Sequence, residues 1–227
     1  ALGLLMVGLC GINISLLPYD AMRLRNRLKM QATDFADAYV NLIVAPDTGF
    51  PLLNIKLSPD VKESCPFVGD GGCGVYPDRP SVCRGYPLGR AVRYEDDGSK
   101  IEHIMLIQEK HCRGFDEDRQ MTPAAWFHDQ GLEPYNEWND RFLSIMARQK
   151  ATGRKLDKNR AQMAYLSLYD PENFRNFIGH MGVFKRLDLT PEREAAIMSD
   201  SEALLAFGYD WMEMVLFGHS DGLKPKA

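Results

Sequence analysis

The strongest constraint on this chain is a stretch in which cysteines are set among tight-turn residues. It begins Cys65-Pro66-Phe67-Val68-Gly69-Asp70-Gly71-Gly72-Cys73-Gly74-Val75-Tyr76 and ends Cys83-Arg84-Gly85-Tyr86-Pro87, and Cys112 follows further on. So many glycines and prolines exclude a long helix or strand between Cys65 and Pro87. Thiolates that converge repel one another unless a metal or a disulfide joins them. The spacing C-x7-C-x9-C-x28-C lacks the C-x2-C knuckles of zinc ribbons. Soft thiolate sulfur suits zinc, iron and iron–sulfur clusters. Glycines at 69, 71, 72, 74 and 85 let backbone amides approach sulfur, which favours a cluster, and they serve equally as tight turns.

Composition narrows the setting. Five cysteines are an odd number, a poor fit to a disulfide framework, and 227 residues need no such staples. That usage points to a reducing cytoplasm. A net charge of −4 gives no general reason to expect nucleic acid as a partner, and no apolar run approaches the ~20 residues of a membrane span. The apolar start, Ala1 to Leu9, lacks a basic lead and reads as a buried strand or trimmed edge rather than a targeting segment.

Hydrophobic spacing outlines the elements. Pro18-Tyr19-Asp20 introduces a helix to Met30, with Ala21, Leu24 and Leu28 facing inward and Arg23, Arg25, Arg27 and Lys29 forming a solvated basic face. Thr33 caps an expected helix from Asp34 to Asn41, with Phe35 and Tyr39 on one face. A strand is expected from Phe50 to Leu57. Arg90 to Glu95 and Ile101 to Ile107 read as a hairpin around Asp96-Asp97-Gly98-Ser99 that returns Cys112 towards the loop it left at Cys83. Thr122-Pro123 opens a helix through His128. Trp138, Phe142, Ile145 and Met146 make a helical stripe, and further helices span 156–168, 171–179 and 191–217, with Asp200 or Ser201 capping the last.

Other polar residues near the thiols invite weighing. His103 and His111 read as solvated or hydrogen-bonded rather than ligating. Asp70 and Asp78 read as turn formers, and Tyr19 and Asp20 as a cap and core contact. Arg79 and Arg84 flank thiols and either offset thiolate charge or make loop salt bridges. Nucleophile-elbow, phosphate-loop and H-E-x2-H signatures are absent from the sequence.

Together Cys65-Pro66-Phe67, Cys73-Gly74-Val75-Tyr76, Arg79-Pro80, Cys83-Arg84-Gly85-Tyr86-Pro87, Cys112 with Gly114, and Ile14 to Asp20 resemble the YkgJ-like cysteine-cluster family. Its members are described as zinc- or iron-chelating domains. The resemblance covers roughly residues 10–115, about half the chain. It implies a metal site at Cys65, Cys73, Cys83 and Cys112, with Cys10 either a fifth ligand or a buried free thiol. The family usually carries C-x2-C-x2-C-C ahead of the Leu-Pro-Tyr-Asp-like segment, whereas Gly3, Met6 and Leu9 occupy those places here. Some similar proteins are linked to lysine N-methylation of flagellin, and others are described as iron–sulfur oxidoreductases.

These readings together predict an α+β chain. Residues 1–119 form a small cysteine-rich metal-binding core with N-terminal helices and a β-hairpin, and residues 120–227 form a helical extension packed on it. The expected function is cysteine-ligated metal binding, iron–sulfur ahead of zinc, in electron transfer or metal handling with a protein redox partner. A metal-dependent lysine N-methylase-like enzyme and a structural subunit of a larger assembly are the alternatives.

Overall fold

The computed structural model describes residues 5–6, 14–58, 64–95, 97–109 and 112–226. The fold is α+β, with long helices and short antiparallel strands. Strand β1 (Leu5–Met6) pairs with β7 (Leu88–Tyr94), which pairs in turn with β8 (Lys100–Leu106). A second sheet orders β2 (Ser15–Leu16), β4 (Pro51–Ile55) and β3 (Val40–Val44). Between these lie α1 (Pro18–Leu28), α2 (Ala32–Tyr39), a two-stranded ribbon of β5 (Val68–Gly69) and β6 (Gly72–Cys73), and the one-and-a-half-turn α3 (Ser81–Gly85). Six helices follow among the described residues: α4 (Pro123–Asp129), α5 (Glu133–Ala151), α6 (Lys158–Tyr169), α7 (Pro171–His180), α8 (Pro191–Ser199) and α9 (Ser201–Phe217).

Local chemistry accounts for the helix starts. Thr122 Oγ1 accepts from Ala125 N at 3.2 Å, and Asp200 Oδ1 accepts from Ala203 N at 2.8 Å, so both expected caps are made. Aspartates 157 and 170 cap α6 and α7 in the same way. The inward stripe of α5 is buried at Phe142, Ile145 and Met146. One core cluster draws on residues from both halves of the chain, from Leu16 and Leu24 to Phe142 and Met212. A second, formed around Phe174, Ile178 and Phe207, joins α7, α8, α9 and the tail at Leu223. Gly208 lets α9 close on α6, since a Cβ there would collide with the Ser167 carbonyl.

Three local expectations change. The second helix ends at Tyr39, and Gln31, not Thr33, holds its cap position. The β-branched Val40 and Val44 instead draw residues 40–44 into an additional strand paired along β4. Arg25 leaves the basic face altogether. It is buried, and its guanidinium reaches Glu172 Oε2 at 3.1 Å, because it follows Leu24 on the inward side of α1.

Candidate metal centre

The ribbon sets the first two thiols. Val68 N donates to the Cys65 carbonyl at 3.1 Å, and Gly74 N donates to the Phe67 carbonyl at 2.8 Å. Val68 stands opposite Cys73, and Gly69 stands opposite Gly72, across the two-residue turn Asp70-Gly71. Gly72 adopts φ 95°, where a side chain would be strained. Phe67 anchors the ribbon, buried against Tyr39 at a ring separation of 4.9 Å. Cys65 and Cys73 are half-buried on the edge of the main core.

The third thiol rides on α3, and a single carboxylate fixes that helix. Asp20 is fully buried. Its Oδ1 accepts from Ser81 N at 2.7 Å, and its Oδ2 accepts from Ser81 Oγ at 3.0 Å and from Leu17 N at 3.2 Å. Asp20 therefore caps α1 and α3 together, placing Cys83 relative to the N-terminal helix. Asn139 Nδ2 of α5 donates to Ser81 Oγ at 3.1 Å and completes the knot. Burial pushes the Asp20 carboxyl up to about 6, against the lowering pull of the Ser81 and Leu17 donors.

Two arginines fasten the segment between Cys73 and Cys83 to the helices beyond. The Arg79 guanidinium donates to the Tyr76 carbonyl at 2.8 Å and to Gln130 Oε1 at 2.5 Å, and it lies 3.9 Å from the Tyr76 ring centre. Arg84 donates to the Gln130 carbonyl at 2.7 Å and to the Pro77 carbonyl at 2.5 Å, over the ring of Tyr135. Trp126 Nε1 donates to the Gly85 carbonyl at 2.9 Å, tying α4 to the end of α3. Asp78 is no mere turn former: it receives Arg23 from α1 at 2.5 Å.

The thiols sense one another. Burial pushes the Cys65 thiol up, the Phe67 backbone N–H pulls it down, and the charge of Cys73 raises it. Cys83 is pushed up to about 12, by burial first and then by Cys65, Asp20 and Cys73, while Arg79 opposes. Cys83 nonetheless exposes surface to solvent. The exposed surface governs its access to solutes, and the protein atoms packed around the sulfur govern its proton affinity. Thiols of the ribbon segment thus weigh on the thiol of α3, and a cation beside them would invert the preference for protonation.

The fourth thiol follows the hairpin. Leu88 stands opposite Leu106, and Ile107 N donates to the Pro87 carbonyl at 2.8 Å, so the chain returns beside the end of α3 five residues before Cys112. Cys112 is half-buried and begins the short turn Arg113–Asp116, where Gly114 leaves room beside its sulfur. All four described cysteines are free thiols. Among the described residues, no three His, Cys, Asp or Glu side chains stand close enough together to hold an ion. Thiol sulfur is the donor chemistry of a soft metal. His103 is exposed on β8 opposite Ala91, and Asp70 is exposed in the ribbon turn. Cys10 and His111 lie outside the described residues.

Sequence reasoning missed Gln130 and Asn139 as supports of the site; each is an ordinary polar residue whose partner lies 51 or 58 positions away. Asp20 did carry a local signal, an acid at the third helical position after the Leu17 cap. No protein-family model, curated protein or solved structure matches this chain.

Proposed function

We propose that this protein binds a metal through Cys65, Cys73, Cys83 and Cys112, as an iron–sulfur cluster or as zinc, in electron transfer or metal handling. The observation that carries the reading is the separate anchoring of the Cys65–Cys73 ribbon by Phe67 and of Cys83 by Asp20, with Cys65 and Cys73 among the groups that raise the Cys83 thiol. A cysteine set serving only packing has no need of the Asp20 knot or the paired arginine ties around an exposed sulfur. The Phe67 N–H near Cys65 sulfur favours a cluster, whose potential responds to amide donors. Residues 10–115 add their resemblance to the cysteine-cluster family.

A bound cation would stabilise the thiolate forms and supply either one-electron chemistry or a structural clasp. The chain's own contribution is to carry Cys65, Cys73 and Cys83 on two anchored segments, to set Arg79 where its charge favours a Cys83 thiolate, and to keep Cys83 open to solution. Cys10 is the candidate fifth ligand. Anaerobic purification followed by elemental analysis and visible absorption tests the reading. Coloured protein with stoichiometric iron and sulfide is expected, and colourless protein with stoichiometric zinc assigns the zinc form. Protein that is metal-free and takes up neither metal after reduction overturns the proposal.

A further inference from the structure

Eight large hydrophobic side chains are exposed among the described residues, and three of them are consecutive: Leu42, Ile43 and Val44, at 57%, 37% and 62%. They lie on β3, which among the described residues has β4 on one side and stands at the end of its sheet. Natural edge strands are blunted by lysine, proline, inward charges or bulges. Here no charged residue occurs between Tyr39 and Pro46. The flanking Asp47 is paired with Lys150 at 2.6 Å.

Hydrogen-bond parity decides which backbone groups face the open edge. Lys56 N donates to the Tyr39 carbonyl, and Ala45 N donates to the Phe50 carbonyl. Both pairs obey the same antiparallel register as Val40 opposite Ile55 and Val44 opposite Pro51. Hydrogen-bonded pairs alternate along such a ladder, so Tyr39, Asn41, Ile43 and Ala45 bond inward to β4. Leu42 and Val44 therefore turn their N–H and C=O groups outward, and Val40 its C=O, the Val40 N–H being held by the Ala36 carbonyl at the end of α2. Pro51, which has no N–H to offer Val44, fits this parity.

We infer that β3 is a dimerisation edge whose occupant is the β3 strand of a second copy of this chain. The outward groups are self-complementary under a two-fold axis at Leu42. Val40 meets Val44 of the other copy and Leu42 meets Leu42; the Leu42 pair exchanges two backbone hydrogen bonds, and each Val40–Val44 pair makes one, from the Val44 N–H to the Val40 carbonyl. The two three-stranded sheets become one of six strands. With no charge on the strand, the copies meet without like-charge repulsion, and Leu42 and Val44 side chains cover one another on the face they share. A strand of five residues runs only about 17 Å. That contact sits at or below the ~1,200 Å² low end of stable interfaces, so the dimer is concentration-dependent rather than obligate.

Sedimentation velocity on the full chain over a wide concentration range tests this. The wild type is expected to pass from monomer to dimer as concentration rises. Leu42→Lys and Leu42→Glu each place like charges face to face on the axis, and each is expected to weaken the dimer at least tenfold. Because Leu42 is exposed, both variants should keep the wild-type melting transition. An equimolar mixture of the two variants should dimerise again, since lysine then faces glutamate. A wild type that stays monomeric at the highest concentration, a dimer that survives both substitutions, or a mixture that does not re-associate overturns the inference.

Discussion

From Cys65 to Pro87 the buried apolar side chains are Phe67, Val75 and Pro80; from Phe174 to Leu223 they include Phe174, Ile178, Leu204, Phe207, Tyr209 and Met212. The cysteine segment is fixed instead by polar ties that cross the sequence: Asp20 to Ser81, Arg23 to Asp78, Arg79 and Arg84 to Gln130, Trp126 to Gly85. Apolar burial is non-directional and tolerates small shifts, whereas each polar tie sets a distance and an angle. A region that must present sulfurs at defined positions gains from the second kind. A region that must keep the chain folded gains from the first. The two should therefore fail differently when perturbed.

The largest effect belongs to the apolar region. Phe207 is buried, with its ring 5.9 Å from Phe174, 5.9 Å from Phe184 and 6.2 Å from Trp211. Phe207→Ala should cost about 3–5 kcal/mol of global stability, read from the denaturant midpoint. Hydrogen exchange of the amides near Cys83, measured under native conditions, should stay close to wild type where it proceeds by local opening. If those amides lose protection by the full amount, the cysteine segment is held by the same core and the contrast between the regions is wrong.

Next comes the polar knot. The Asp20 carboxyl is raised from 3.8 in the unfolded chain to about 6 in the fold. Between those values the folded state holds the proton that the unfolded state has released, so stability falls as pH rises through the window. A shift of about two units is worth about 3 kcal/mol, fully present below pH ~4 and lost above pH ~6. Asp20→Asn removes the titration. The difference in denaturation free energy between wild type and variant should therefore change across this window and level off above it. Parallel profiles from pH 4 to pH 7 would sink the assignment.

How far the sequence foretold each region follows from the same contrast. The α5 stripe and the caps at Thr122 and Asp200 were legible because helical periodicity and capping act within four residues. The hairpin after Cys83 was legible from alternation and its Asp-Gly turn. Residues 40 and 41 were carried into the helix and 42–44 were given no element, because a short apolar run carries no period that separates strand from helix. Arg25 was misjudged because its partner Glu172 lies 147 positions away and nothing local marks it as buried. The thiols themselves marked a candidate site. What arranges them did not, since Asp20 and Ser81 are 61 positions apart and Arg79 and Gln130 are 51.

The smallest effect comes from asking the same chemistry of both regions. Asp200 caps the 17-residue α9, which buries Leu204, Phe207, Tyr209 and Met212. Thr122 caps the seven-residue α4, which buries no residue fully. Asp200→Ala should lower global stability by about 1 kcal/mol, because α9 cannot fray without opening the core. Thr122→Ala should shift the denaturant midpoint by no more than a few tenths of a kcal/mol, because α4 frays on its own. Its consequence should appear elsewhere. Trp126 on α4 holds the Gly85 carbonyl at the end of α3, so a frayed α4 slackens the helix that carries Cys83. Peptide-mapped alkylation of Cys83 by iodoacetamide, slow at neutral pH while the thiol is pushed up to about 12, should accelerate in Thr122→Ala and stay unchanged in Asp200→Ala. Equal midpoint shifts, or equal alkylation rates, would mean that α4 and α9 answer to one cooperative core and that the polar ties around Cys83 hold nothing independently.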